Sequence, residues 1–145
     1  MEPGKEHGLH ARTGPVQTAM SAPRRLPRVI ETYWYAFDWN VEALWALDLP
    51  AVAFPVSRLE WHLDVPVWPR DGVPYSLTPR DVLKSPYRYA DEYRRTQAAS
   101  LVFPIEITWH RGRWLILDGI HRLLKAHELG HEQMIVRKVP RRLIS

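Results

Sequence analysis

The sequence predicts an α+β fold: a single domain with a small mixed sheet and packed helices. Two observations carry that expectation. In the last third, two β-rich apolar runs, residues 101–109 and 113–117, flank the short turn His110-Arg111-Gly112, and the period then switches to helical from Gly119 to Leu129. The second is size: 145 residues, 46% apolar and with seven Trp, supply one core of ordinary dimensions.

Taken in order, residues 1–28 are Gly, Pro, Ser, Ala and charge without period, and are expected to form a disordered basic tail before a domain spanning 29–145. The aromatic burst of residues 33–39 reads as core or partner-facing packing. Asn40 is a plausible N-cap for a short helix over 41–47 that Pro50 ends, with Leu44, Trp45 and Leu47 facing inward. Residues 51–56 read as extended. The alternation of apolar and polar residues over 59–64 predicts a second extended piece ending in exposed acids. The Pro-rich stretch 66–74 reads as loop. Thr78-Pro79-Arg80-Asp81 then combines an N-cap, a first-turn Pro and an acidic N3 residue, which starts a helix. Ser85-Pro86 repeats the signal for a run ending near Ser100, with Tyr89, Ala90, Tyr93 and Gln97 on one face and the charged Arg88, Asp91, Glu92 and Arg95 on a solvated other. After the hairpin and the helix that Gly130 stops, residues 134–139 close the sheet.

Composition narrows the chemistry. With no cysteine, thiolate catalysis, disulfides and Cys-based zinc sites are excluded, and the seven His lack metal-binding spacing with acids. No stretch approaches the roughly eighteen apolar residues of a membrane span, and the first twenty residues lack the apolar block of a secretion signal, so a cytoplasmic protein without a membrane partner is expected. The net charge of +4 and pI near 9.6 suggest an anionic partner. That charge sits at the ends: five basic against two acidic residues before position 29, and Arg137, Lys138, Arg141 and Arg142 near the C-terminus. A nucleic-acid reader usually carries its basic stripe on the folded surface, so the pI is weak evidence for DNA; the basic termini could still touch nucleic acid.

The junction Asp118-Gly119-Ile120-His121-Arg122 is the main candidate site. The first N–H groups of the following helix, those of Ile120, His121 and Arg122, are expected to lack intrahelical partners and to face an acceptor with the positive end of the helix dipole behind them. Gly119 permits an unusual backbone angle and a close approach by phosphate. Arg122 can hold two phosphate oxygens, and His121 can donate or shuttle a proton. Two cations in a first turn oppose the dipole, which a bound anion would offset. The plainer reading makes Asp118 an N-cap, Gly119 a steric convenience and Arg122 a surface residue paired to an acid.

The strand, this junction, the helix Leu-Leu-Lys-Ala-His-Glu-Leu-Gly and the strand at Ile135-Val136 together resemble the ParB/sulfiredoxin fold superfamily, most clearly over 103–140 and more weakly back through Pro55-Val56-Ser57-Arg58-Leu59. In sulfiredoxins the matching tetrad is Gly-Cys-His-Arg, with a thiolate nucleophile and the His-Arg pair on ATP phosphates; here Ile120 stands where that cysteine would be. The ParB motif is Gly-Glu-Arg-Arg on CTP phosphates, matching Gly119 and Arg122, but 145 residues leave no space for the DNA-binding helix-turn-helix of a ParB clamp. The free-serine kinases of the superfamily read Asp-Gly-His-His-Arg and carry a His-Glu-Glu stretch whose acid is the general base. His62-Leu63-Asp64-Val65 is similar to that stretch, with Leu63 replacing one acid.

What the resemblance implies is a nucleotide-binding domain (ATP, ADP or CTP) with a phosphotransferase activity on a small hydroxyl-bearing substrate. Arg122 and the helix start would neutralise charge, Asp64 or Glu60 would accept the hydroxyl proton, and Asp118 would orient Mg²⁺ or serve as the N-cap. The alternative is a non-catalytic nucleotide-sensing or DNA-associated module. Lys125, one turn beyond His121, reads as solvated, and His127, on the apolar stripe, as a packed core histidine.

Overall fold

The computed structural model describes residues 26–34 and 39–144. The expected disordered tail therefore lies outside the described residues apart from 26–28, as does the middle of the aromatic burst.

The chain is a small α+β domain. A π-helical turn over Ile30–Trp34 precedes α1 (Val41–Trp45), whose N-cap Asn40 accepts the Ala43 N–H at 3.0 Å. Strand β1 (Ala51–Pro55) leads into two short 3₁₀ turns, Val56–Arg58 and Glu60–Asp64. This corrects the extended reading of 59–64. The amides of Leu59, His62 and Val65 each donate to a carbonyl three residues back, and the turn sends Leu59, His62 and Leu63 inward while Asp64 stays out.

The Pro-rich loop is also corrected: it folds as the hairpin β2 (Trp68–Arg70) and β3 (Val73–Leu77). Its turn residues Asp71 and Gly72 have φ of 51° and 79°, the geometry of a type I′ turn. Pro69 and Pro74 are exposed, so this two-stranded ribbon tolerates their missing donors. Helix α2 (Pro79–Lys84) opens with the capping box expected from Thr78 and Asp81. Helix α3 (Ala90–Ala98) follows.

Strands β4 (Ile105–His110) and β5 (Arg113–Asp118) form the expected hairpin around Arg111-Gly112, and α4 (Ile120–Glu128), β6 (Gln133–Lys138) and a 3₁₀ turn over Arg141–Leu143 follow. β4 begins only after Pro104, later than the apolar run suggests. The four-stranded sheet has the order β1-β6-β4-β5, with β1/β6 and β4/β5 antiparallel and β4/β6 parallel. Helix α4 buries Ile120, Leu123, Leu124 and Ala126 in the core with Ile105, Ile107, Leu115 and Ile116.

β5 is an edge strand, and its outer backbone groups are closed by side chains. The Ile116 N–H donates to His62 Nε2 at 2.9 Å, while the indoles of Trp34 and Trp61 donate to the Ile116 and Trp114 carbonyls, each at 3.2 Å. Part of the aromatic burst thus substitutes for a fifth strand. His62 Nδ1 donates to Leu59 O at 2.7 Å, which fixes the tautomer that leaves Nε2 as acceptor. Burial pushes its pKa down to about 3; the Leu59 carbonyl pulls upward, and nearby Arg113 adds to the depression.

Candidate functional site

Gly119 is the N-cap of α4 and takes φ 118°, ψ 27°. A side chain here would have its Cβ 2.8 Å from Ile105 Cβ, so the close approach that glycine permits is to β4. Gly119, not Asp118, holds the N-cap position, which corrects that reading, and the amides of Arg122 and Leu123 both return to Gly119 O, at 3.0 and 3.1 Å. The Arg122 N–H is therefore satisfied within the helix start.

The whole junction is enclosed. Asp118, Ile120, His121 and Arg122 are each at most 2% exposed. His121 lies flat against Trp68 of β2, ring centroids 4.4 Å apart at 17°, and its Nε2 meets Glu92 Oε1 of α3 at 2.8 Å. A carboxylate accepts, so Nε2 carries the proton of that bond. Arg122 donates from Nη1 to the Pro104 carbonyl at 3.0 Å. It is thus a buried residue, not a surface one.

Beside the junction a charged rung crosses three strands. Arg137 of β6 is in register with Glu106 of β4, and Glu106 with Asp118 of β5. Arg137 Nη1 donates to Glu106 Oε2 at 3.3 Å, and Nη2 reaches the carbonyls of Leu44 and Leu47 at the end of α1. The Trp45 indole donates to Asp118 Oδ2 at 3.2 Å. Helix α1 is thereby fastened over the rung. Burial pushes the Glu106 carboxyl above its usual range, and the neighbouring Arg137 and Arg122 partly offset the shift. Arg137, counted from sequence with the basic C-terminus, is 9% exposed and committed to these partners.

The acids assigned to proton transfer go elsewhere. Asp64 has a side chain 65% exposed and pairs with Arg80 at 2.8 Å, while Glu60 pairs with His127 Nδ1 at 2.7 Å, on the second turn of α4. His127 is consequently a half-buried hydrogen-bond partner of Glu60, not a packed core histidine. Lys125 is not simply solvated: Nζ donates to the Gln97 and Ala99 carbonyls, each at 2.7 Å, closing the C-terminus of α3. An open cleft of about 390 Å³ between α3 and α4 is lined by Tyr93, Gln97, Lys125, Glu128 and Leu129, beyond the first turn.

Glu92 corrects the solvated-face reading of α3: Tyr89, Glu92, Tyr93 and Thr96 form the inward stripe, while Gln97 is exposed. The i, i+3, i+4, i+7 spacing from Tyr89 was the available signal. Trp68 was missed with its hairpin, although Asp71-Gly72 marks the turn. Nothing local announces Glu106 or Arg137, since their pairing is a matter of strand register.

Chemically, the junction presents an imidazole and a guanidinium at the positive end of a helix, with a carboxylate already on the imidazole. That donor set fits an anion. It does not fit a protein-held Mg²⁺: Asp118 is buried and accepts an indole N–H, and among the described residues no three His, Asp or Glu side chains converge. No helix among the described residues is long and apolar enough to cross a membrane. No protein-family model, curated protein or solved structure matches the chain.

Proposed function

We propose that the chain is a ParB/sulfiredoxin-type domain that binds a nucleotide (ATP, ADP or CTP) through its phosphates at the start of α4. The motif resemblance supports this, and one structural observation carries it: the first-turn imidazole of His121 already faces an anion, the Glu92 carboxylate, at 2.8 Å. Glu92 occupies the position a phosphate oxygen takes on binding, so ligand and α3 compete for His121. Mg²⁺ enters only as the counter-ion of the polyphosphate. With Asp64 and Glu60 paired to Arg80 and His127, binding without turnover is the primary reading.

Phosphoryl transfer to a small hydroxyl-bearing substrate is the second reading, favoured by the same pair. In this version Arg122 and the helix start hold the phosphates, Glu92 stays on His121, and the carboxylate-oriented imidazole takes the hydroxyl proton while the terminal phosphoryl group passes to that oxygen and the shortened nucleotide departs. His121, rather than Asp64 or Glu60, is the base in this version.

Thermal shift with inorganic phosphate, ATP, ADP and CTP tests the site. Wild type is expected to be stabilised, Glu92→Gln to respond at lower ligand concentration because the internal competitor is weakened, and Arg122→Lys to respond less. No response in either wild type or Glu92→Gln would refute nucleotide binding here. Product analysis across hydroxyl substrates then separates binding from turnover.

A further inference from the structure

We propose that the tip of the β4–β5 hairpin, with the basic residues at and after the end of β6, is a binding surface for single-stranded nucleic acid. It lies at the opposite end of β5 from the nucleotide site and does not depend on it. The surface is built from Trp109, Arg111, Arg113, Lys138, Arg141 and Arg142.

The sequence around the turn, Trp109-His110-Arg111-Gly112-Arg113-Trp114, sets two arginines between two indoles. No Asp or Glu occurs from residue 107 to 117 or from 133 to 145. The fold joins these two acid-free segments. Lys138 is in register with Ile107, the Val139 N–H donates to Ile107 O at 2.7 Å, and Thr108 Oγ1 donates to Val139 O at 2.6 Å. Arg111 and Gly112 take φ of 51° and 80°, so a tight type I′ turn projects the tip. His110 of the first segment lies near Arg141 of the second. Its imidazole is held below the usual range by burial first, then by the adjacent Arg141 and Arg111, while a backbone hydrogen bond at Thr32 opposes them.

The rings are positioned as platforms. Trp109 is 48% exposed and is braced edge-on against Trp114 at 5.3 Å, which fixes its indole without covering it. Lys138 Nζ stands 5.5 Å from the Trp114 ring, and the Arg113 guanidinium sits 4.5 Å over Trp61. An exposed indole, braced by a ring that Lys138 approaches, at the tip of an acid-free hairpin, suits a base that stacks while neighbouring phosphates are neutralised. A duplex keeps its bases stacked on each other and cannot use that ring, which favours a single strand. An acidic polypeptide would use the charge but not the stacking face.

The test is fluorescence anisotropy of a labelled single-stranded oligonucleotide of about 15 nucleotides, alongside the same sequence as duplex and polyglutamate as competitors. Wild type is expected to prefer the single strand, with log Kd rising against log salt at a slope of about 2 if three phosphates are neutralised. Trp109→Ala should weaken binding about tenfold and Trp109→Phe should restore most of it. Arg142→Glu should weaken binding and flatten the salt slope, and circular dichroism should show native folds for all three variants. The proposal is overturned if the single strand does not bind at low salt, if duplex or polyglutamate binds as tightly, or if Trp109→Ala leaves affinity unchanged.

Discussion

The two ends of β5 treat charge in opposite ways. At its C-terminal end, Asp118 lies with Glu106, Arg122 and Arg137 out of water, each charge held by partners on other elements. At its N-terminal end, Arg111 and Arg113 are exposed, with Trp109 half-exposed beside them. β5 runs six residues from one end to the other, about 17 Å. A buried ion must be matched inside the fold, so the closed end is spent on cohesion. The open end keeps cations that a partner can reach without displacing an internal one.

Breaking the closed end should cost most. Arg137→Ala leaves the Glu106 carboxylate buried beside lost partners and releases the α1 carbonyls, an expected loss of roughly 3–5 kcal/mol in urea unfolding. A loss no larger than that of a tip variant would erase the contrast. Gly119→Ala adds a Cβ against Ile105 at a left-handed backbone position and should cost roughly 2–4 kcal/mol. A much smaller loss would mean that β4 yields at the junction.

Midway along β5, the edge seal sharpens the comparison through pH. His62 is neutral when folded, with a pKa lowered from 6.5 to about 3, so the unfolded chain binds the proton first as pH falls. Stability attributable to this group is intact above pH 6.5 and declines between there and pH 3, at up to about 1.4 kcal/mol per pH unit. His62→Gln should show a flatter acid-side slope than wild type; equal slopes would place the proton uptake elsewhere. The smallest effects belong to exposed charges. Arg142→Ala and Asp64→Asn should each change stability by less than about 0.5 kcal/mol, measured in the same urea series.

Much of this was legible because it is local. The Thr78–Asp81 capping box, the Arg111-Gly112 turn, the helical period after Gly119 and the Gly130 stop are each decided within a few residues, and the structure repeats them. The β2–β3 hairpin was hidden because its prolines argue for loop while Asp71-Gly72 argues for a turn, and the turn prevailed where the prolines face solvent. The 59–64 segment misled because in so short a run, alternation and a three-residue turn both bury Leu59 and Leu63, and differ only in sending Trp61 or His62 inside. The enclosure of the junction was not legible. It depends on Trp68, Glu92 and Pro104 arriving from three other elements, and on Arg137 meeting Glu106 by register.

The strand order has a consequence for how the chain assembles as it is made. β6 is the last strand in sequence yet lies between β1, the first, and β4. Until β6 is synthesised, β1 has no place in the sheet and the Glu106 carboxylate has no guanidinium from Arg137. The nascent chain can form the β4–β5 hairpin and α4 locally, but closure waits for a contact between its most distant strands. Residues up to Gly130 are therefore expected to stay protease-sensitive and chaperone-bound on stalled ribosomes, and to become resistant in a single step once residues 133–138 emerge.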